Sequence, residues 1–291
     1  MEPLQLIVDA FALGGVYVLV ALGFVLVLNG IGAVNLAHGD LVTLGGFIAI
    51  AAASWVPMWP GIVFLPIIAL VMAVVGALLA AITPMRRRSD TPEEMSLATF
   101  AVGVMLAAAL TGLYGTTPIS GPPLVGNGQI GLFGAAISRQ SVVIILTAVI
   151  LVPAVHLLLN HTQFGRRLRA AGQDPELARA LGIDTRRMAA ATFALGTMLA
   201  GIAGLLLADR FTISPTFGLD LLVKSYVAVA IAGWGQVGAA AGVALAIALF
   251  ETAVSTVAAP AIADAVVYVV LLVLLAFQPQ GMFGPAAQRR A

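Results

Sequence analysis

FGRRLRAAGQDPELARALGIDTRR, residues 164–187, is a charged island between two long apolar runs, 140–159 and 188–208. Its centre carries the signals of a short helix. Asp174 can act as N-cap, Pro175 suits the first helical position, and Glu176 suits the positive end of the helix dipole. Gly182 supplies the stop. The spacing predicts a helix of about two turns, with Leu177 and Leu181 on one face. So short a helix is not stable alone, so either the bundle it hangs from or a partner that receives it must hold it.

Working outward, the flanking runs set the solvent. Of 291 residues, 61% are hydrophobic and 9% charged, against about 25% charged in a soluble domain. Mean hydropathy is +1.07. Apolar length and punctuation place spans near 4–28, 35–55, 61–83, 95–115, 140–159, 188–208, 221–234, 237–257 and 263–279. The seventh is short enough to be a re-entrant or broken helix. The first residues, MEPLQL, lack the positive region of a signal peptide, so the first apolar run is expected to be kept as a span. The fold class is therefore all-α: a polytopic membrane bundle of eight to nine transmembrane helices, read as a single domain over residues 1–291.

Basic residues orient the set. Arg86–Arg88, Arg166–Arg187 and Arg289–Arg290 share one side if the chain crosses nine times with its N-terminus outside. Eleven of the 14 basic residues are then cytoplasmic, leaving Arg139, Arg210 and Lys224 elsewhere. The net charge of +1 and the loop placement of the arginines give no basic face for nucleic acid. Trp55 and Trp59 stand where the second span exits, as an aromatic belt does. The Gly- and Pro-rich loop from Thr116 to Arg139 reads either as an outer gate or docking surface or as a linker packed on the bundle rim. Phe11-Ala12-Leu13-Gly14 recurs as Phe193-Ala194-Leu195-Gly196, on spans that run in opposite directions, as an inverted repeat requires. In a chain this rich in Ala and Gly, four-residue matches also arise by chance.

Polar groups inside spans are costly and mark a pathway or a partner. Asn35, His38 and Asp40 occur together in NLAHGDL at the start of the second span. Asn35 and His38, three apart, are expected on one helix face, and Gly39 and Gly45-Gly46 permit close helix approach. They either line the path or satisfy nearby carbonyls. Glu251 reads as a lone carboxylate deep in the eighth span, lining the path or bonded to a neighbouring helix. Asp220 and Lys224, four apart, can pair. Asp9 and Asp264 fall near outer span ends, where capping or water contact is expected. His156 and His161 lie at the inner end of the fifth span.

Enzyme chemistry finds little support. Cysteine is absent, which excludes disulfides and Cys-ligated metals. No G-x-S-x-G or H-E-x-x-H motif occurs, and no metal or other cofactor is implied. Lys224 is the single Lys, preceded by Leu222 and Val223, so a G-x-x-x-x-G-K-[ST] phosphate loop is absent. If transport is ATP-driven, the motor is another chain.

Four segments together resemble one family. They are Gly14–Gly46, containing NLAHG close to an N-F-A-H-G signature; Phe164–Gly204, containing the charged island; Ala230–Glu251 (AIAGWGQVGAAAGVALAIALFE); and Phe277–Gly284 (FQPQGMFG). The chain resembles the permease subunits of bacterial ABC importers of the branched-chain amino-acid type. That resemblance implies a multi-pass protein of the bacterial inner membrane. It implies a second permease, two cytoplasmic ATPase subunits and an outer solute-binding protein as partners. It makes 164–187 a cytoplasmic coupling loop, whose short helix fits a groove on an ATPase through Ala170, Ala171, Asp174, Leu177, Leu181 and Gly182. Asn35, His38, Asp40 and Glu251 become translocation-pathway candidates. The implied solute is a branched-chain or related amino acid, with urea and short amides as close competitors. A gradient-driven carrier using His38, Asp40 and Glu251 as ion sites, and a purely structural membrane subunit, are the readings from other classes. The nine-crossing arrangement predicts that cysteines placed at Gln173 and Gln288 react with an impermeant thiol reagent only from the cytoplasmic side. Outside labelling at 288 would establish eight crossings instead.

Overall fold

The structure is a computed structural model that describes residues 3–56, 61–82, 91–121, 123–126, 128–132, 135–277 and 282. The Arg86–Arg88 and Arg289–Arg290 clusters, Trp59 and most of the FQPQGMFG segment lie outside the described residues. Eleven α-helices follow in order: α1 (Pro3–Ile31), α2 (His38–Trp55), α3 (Phe64–Ile82), α4 (Pro92–Tyr114), α5 (Arg139–His161), α6 (Gln163–Gln173), α7 (Pro175–Ala180), α8 (Thr185–Arg210), α9 (Gly218–Ala232), α10 (Val237–Ser255) and α11 (Pro260–Phe277). Each expected apolar span contains one of these helices over most of its described length. Six of the helices are long and apolar enough to cross a membrane; α2 and α11, at 18 residues, and α9, at 15, are shorter.

A helix with no internal polar face must be enclosed by others or by lipid. α1 and α8 are the enclosed pair, whereas α3, α4, α5 and α10 leave most of their surface outward. α8 packs on α1, α2 and α3, and α1 packs on α10, α8 and α5. The two run antiparallel, since Asp9 meets Arg210 at one end and Gly30 meets Thr192 at the other. Exchanging α1 with α8, α2 with α9 and α3 with α10 preserves the packing pattern: α1 on α10 matches α8 on α3, and α2 on α8 matches α9 on α1. This is the arrangement an inverted repeat produces.

Small residues allow these contacts. A Cβ on Gly23 would meet the Gly196 carbonyl oxygen at 2.8 Å, and one on Gly196 would meet the Gly23 oxygen at 2.9 Å. Gly39 and Gly218 touch backbone to backbone where α2 and α9 begin. Such approach replaces the hydrophobic drive that lipid does not provide.

The expected second-span boundary shifts. Gly32–Ala37 is a turn rather than helix, held by α4: Val34 N–H donates to Ser96 Oγ at 3.2 Å and Leu36 N–H to Thr99 Oγ1 at 3.0 Å. Between Tyr114 and Arg139, β1 (Gln129–Leu132) pairs antiparallel with β2 (Ala135–Ser138). Gly121 N–H donates to the Ala208 oxygen at 2.6 Å, and Leu124 is buried against Gly61. The loop is thus seated on the rim of the bundle.

A Cβ on Gly45 would meet Gly201 Cα at 2.5 Å, while nothing lies within 4 Å of one on Gly112. Gly45→Leu is therefore expected to lower stability by about 1–3 kcal/mol through overpacking. Gly112→Ala should be neutral or slightly stabilising. Thermal unfolding of the micelle-solubilised protein measures both.

Candidate functional site

The charged island folds as two helices, not one. Thr162 caps α6, accepting from Gly165 N–H at 3.2 Å, and the amphipathic helix lies across the end of the bundle. Gly165, Leu168 and Ala171 are buried, and Gly172 packs on the backbone of Asn29 in α1. Asp174 then caps α7, its Oδ1 accepting from Glu176 N–H at 3.0 Å and Leu177 N–H at 2.9 Å. Gly182 N–H donates to the Arg179 oxygen at 3.0 Å and Ile183 N–H to the Ala178 oxygen at 2.9 Å. With φ of +80° at Gly182, this is a Schellman stop. Ala178 faces inward, whereas Leu177 and Leu181 are 57% and 72% exposed. Of the other coupling candidates, Ala171 is buried and Ala170 half-buried, while Asp174 and Gly182 are exposed. The sequence missed α6 because its 11 residues read as a basic loop; the periodic Leu168 and Ala171 were the available signal.

The same end of the bundle carries a polar cavity of about 740 Å³. Asn29, Asn160, Arg169, Gln173, Trp234 and Gln236 line it. Asn29 Nδ2 donates to the Gly235 oxygen at 3.2 Å, and Arg169 Nη1 to the Leu159 oxygen at 2.5 Å. These bonds tie the α1 terminus to the α9–α10 turn, and the middle of α6 to the end of α5.

At the start of α2, Asn35 precedes the helix instead of sharing a face with His38. Its Oδ1 accepts from Ala37 N–H at 3.1 Å, forming a local turn. His38 is fully buried; its Nε2 lies 3.0 Å from the Val20 oxygen of α1, and its ring meets Phe24 edge-on. Asn35 Nδ2 and His38 Nδ1 have no partner among the described residues. Asp40, half-buried, lies against Gly103 of α4. His38, Asp40 and Glu251 thus keep separate company and form no common ion site.

Glu251 is not lone. It belongs to a network centred on Lys224, which is 3% exposed. Lys224 Nζ donates to Glu251 Oε1 at 3.0 Å, Asp264 Oδ1 at 3.1 Å and Tyr17 Oη at 3.2 Å. It also pairs with Asp220 Oδ2 at 3.0 Å, one helical turn back. Tyr17 Oη bonds both carboxylate oxygens of Glu251, at 3.0 and 2.9 Å. Tyr268 Oη bonds Asp220. Four helices, α1, α9, α10 and α11, meet at one ammonium group. Asp9 and Asp264, expected as caps or water-facing groups, are both ion-paired, Asp9 with Arg210 at 2.8 Å, while Asp264 keeps about half of its side chain exposed. Tyr17 and Tyr268 escaped the sequence reading, and Arg210 was placed by it but given no partner, although every charge in an apolar span demands one. Among the described residues no cluster of His, Asp and Glu could hold a metal ion.

A largely helical bundle with six helices long and apolar enough to cross a membrane has the architecture of a multi-pass membrane protein. The chain belongs to the family described as branched-chain amino acid transport system / permease component, which matches residues 6–275. Relatives include the high-affinity branched-chain amino acid transport system permease protein LivH of Salmonella typhimurium, 27% identical over 97% of this chain and 95% of that protein. BraD of Pseudomonas aeruginosa, of the same description, is 25% identical over 97% and 95%. A probable branched-chain amino acid transport permease LivH of Methanocaldococcus jannaschii is 30% identical over 74% of this chain and 69% of that one.

Removing one member of a buried ionic group leaves the others uncompensated, at a cost of about 3–5 kcal/mol. Lys224→Met is expected to destabilise the permease by an amount near the lower figure, because Asp220 and Asp264 are partly exposed. Lys224→Met combined with Glu251→Leu should recover part of the loss. Thermal unfolding in lipid nanodiscs reads both.

Proposed function

We propose that this chain is the permease subunit of an ATP-driven importer in the bacterial inner membrane, with branched-chain or related amino acids as solute. A second permease completes the pore, two cytoplasmic ATPase subunits drive it, and an outer binding protein delivers solute. The observation that carries the reading is α7: a capped helix of six residues with Leu177 exposed on it and Leu181 exposed at its C-cap. Among the described residues nothing covers that apolar pair, and α6 fixes α7 to the end of α1 through Gly172. A groove on an ATPase that buried α7 would move the bundle when the ATPase pair closed, as alternating access requires. Residues 164–187 act as the coupling loop within a single permease domain, with Ala170, Ala171 and Gly182 shaping it. His38, with Asn35, organises the start of α2, and Glu251 belongs to the outer-end network. A gradient-driven carrier is disfavoured because His38, Asp40 and Glu251 do not converge.

Burying a Leu side chain contributes about 1.5–3 kcal/mol, and loss of about 3 kcal/mol weakens association by about a hundredfold. Leu181→Asp adds the desolvation of a charge. The variant is expected to insert and to assemble with the partner permease, yet to lose the ATPase on purification and to show no solute-stimulated ATP hydrolysis. Co-purification of ATPase at wild-type levels would remove α7 as the docking element.

A further inference from the structure

The end of the bundle opposite α6 contains a cavity of about 420 Å³, lined by α1, α8, α9, α10 and α11. It has the size of a small-molecule site. Asp9, Asp220, Glu251 and Asp264 line it against only two cations, Arg210 and Lys224, an excess of two negative charges. Both cations already have partners: Arg210 bonds Asp9 and Ser141, and Lys224 is wrapped by Tyr17 and three carboxylates. Asp220 and Asp264 remain about half exposed. Each carboxylate has a cation partner, but two cations shared among four carboxylates leave an excess of negative charge, which is costly in an apolar span and points to a function. Beside them stands an apolar wall of Leu13, Leu207, Phe211 and Phe217. Tyr17, which also lines the cavity, is the midpoint of the 29-residue α1, and transporters place solute sites near the middle of their spans.

The geometry points to this cavity as a recognition site for a solute bearing a primary ammonium group and an aliphatic side chain. The ammonium, with three donors and no acceptor, completes the charge balance at Asp264, Asp220 and Glu251. The aliphatic chain lies on the Leu13–Phe217 wall, and the unused guanidinium donors of Arg210 face the solute carboxylate. The site selects against urea and neutral amides, which offer no cation and no apolar chain. This deepens the importer reading and rests on it.

The experiment measures equilibrium binding of radiolabelled leucine to the complete transporter in nanodiscs, without nucleotide and without the binding protein. Competition uses 3-methylbutylamine, 4-methylpentanoate and urea. The amine is expected to displace leucine, while the acid and urea do not. Asp264→Asn is expected to weaken leucine binding about tenfold, the loss of one charged hydrogen bond. Equal competition by 4-methylpentanoate, displacement by urea, no leucine binding to the wild type, or unchanged binding by both Asp264→Asn and Glu251→Gln would each overturn the site. The analogue series uses wild-type protein only, so a variant that misfolds leaves the question decided. The measurement involves no ATP hydrolysis, so its failure is separate from failure of α7 as the docking element.

Discussion

Everything in this molecule depends on how closely α8 approaches its neighbours. In lipid, apolar side chains gain nothing by leaving one apolar surface for another, so helices associate through dispersion contacts and backbone proximity. Gly196 of α8 meets Gly23 of α1, and Gly201 meets Gly45 of α2. Gly201 also receives the Met72 side chain of α3. Larger residues at these points would part the helices and open the interior to polar cost. The antiparallel crossing of α1 and α8 then places Asp9 beside Arg210 and brings Tyr17 to the depth of Lys224.

The second constraint is charge. A lone Lys or Glu in an apolar span is expensive, and the favourable solution collects opposite charges with enough donors and acceptors to satisfy one another. Lys224 does this with donors to Glu251, Asp264 and Tyr17 and a pair with Asp220. The result joins α1, α9, α10 and α11 at one point and leaves surplus carboxylate facing a cavity. α1 is the rigid element common to both ends: Tyr17 enters the network, and Asn29 receives Gly172 of α6. A shift of α6 and α7 therefore has a packed route to the network.

The membrane bundle and most of its helices were legible in the chain itself, because apolar length and punctuation are local properties. So were the Asp174 cap, the Gly182 stop and the shared face of Leu177 and Leu181, all set within a few residues of each other; that this face points outward was decided by packing. The Asp220–Lys224 pair was legible for the same reason, being one helical turn apart. Only the tertiary structure decided that Glu251 has Tyr17 as a partner, 234 positions away, and that Asp9 pairs with Arg210. It also decided that Asn35 makes a turn instead of a helix face, because Ser96 and Thr99 of α4 hold that segment out of helix. Caps and hydrophobic runs carry their cause in neighbouring residues, whereas a buried charge finds its partner wherever close glycine packing brings another helix.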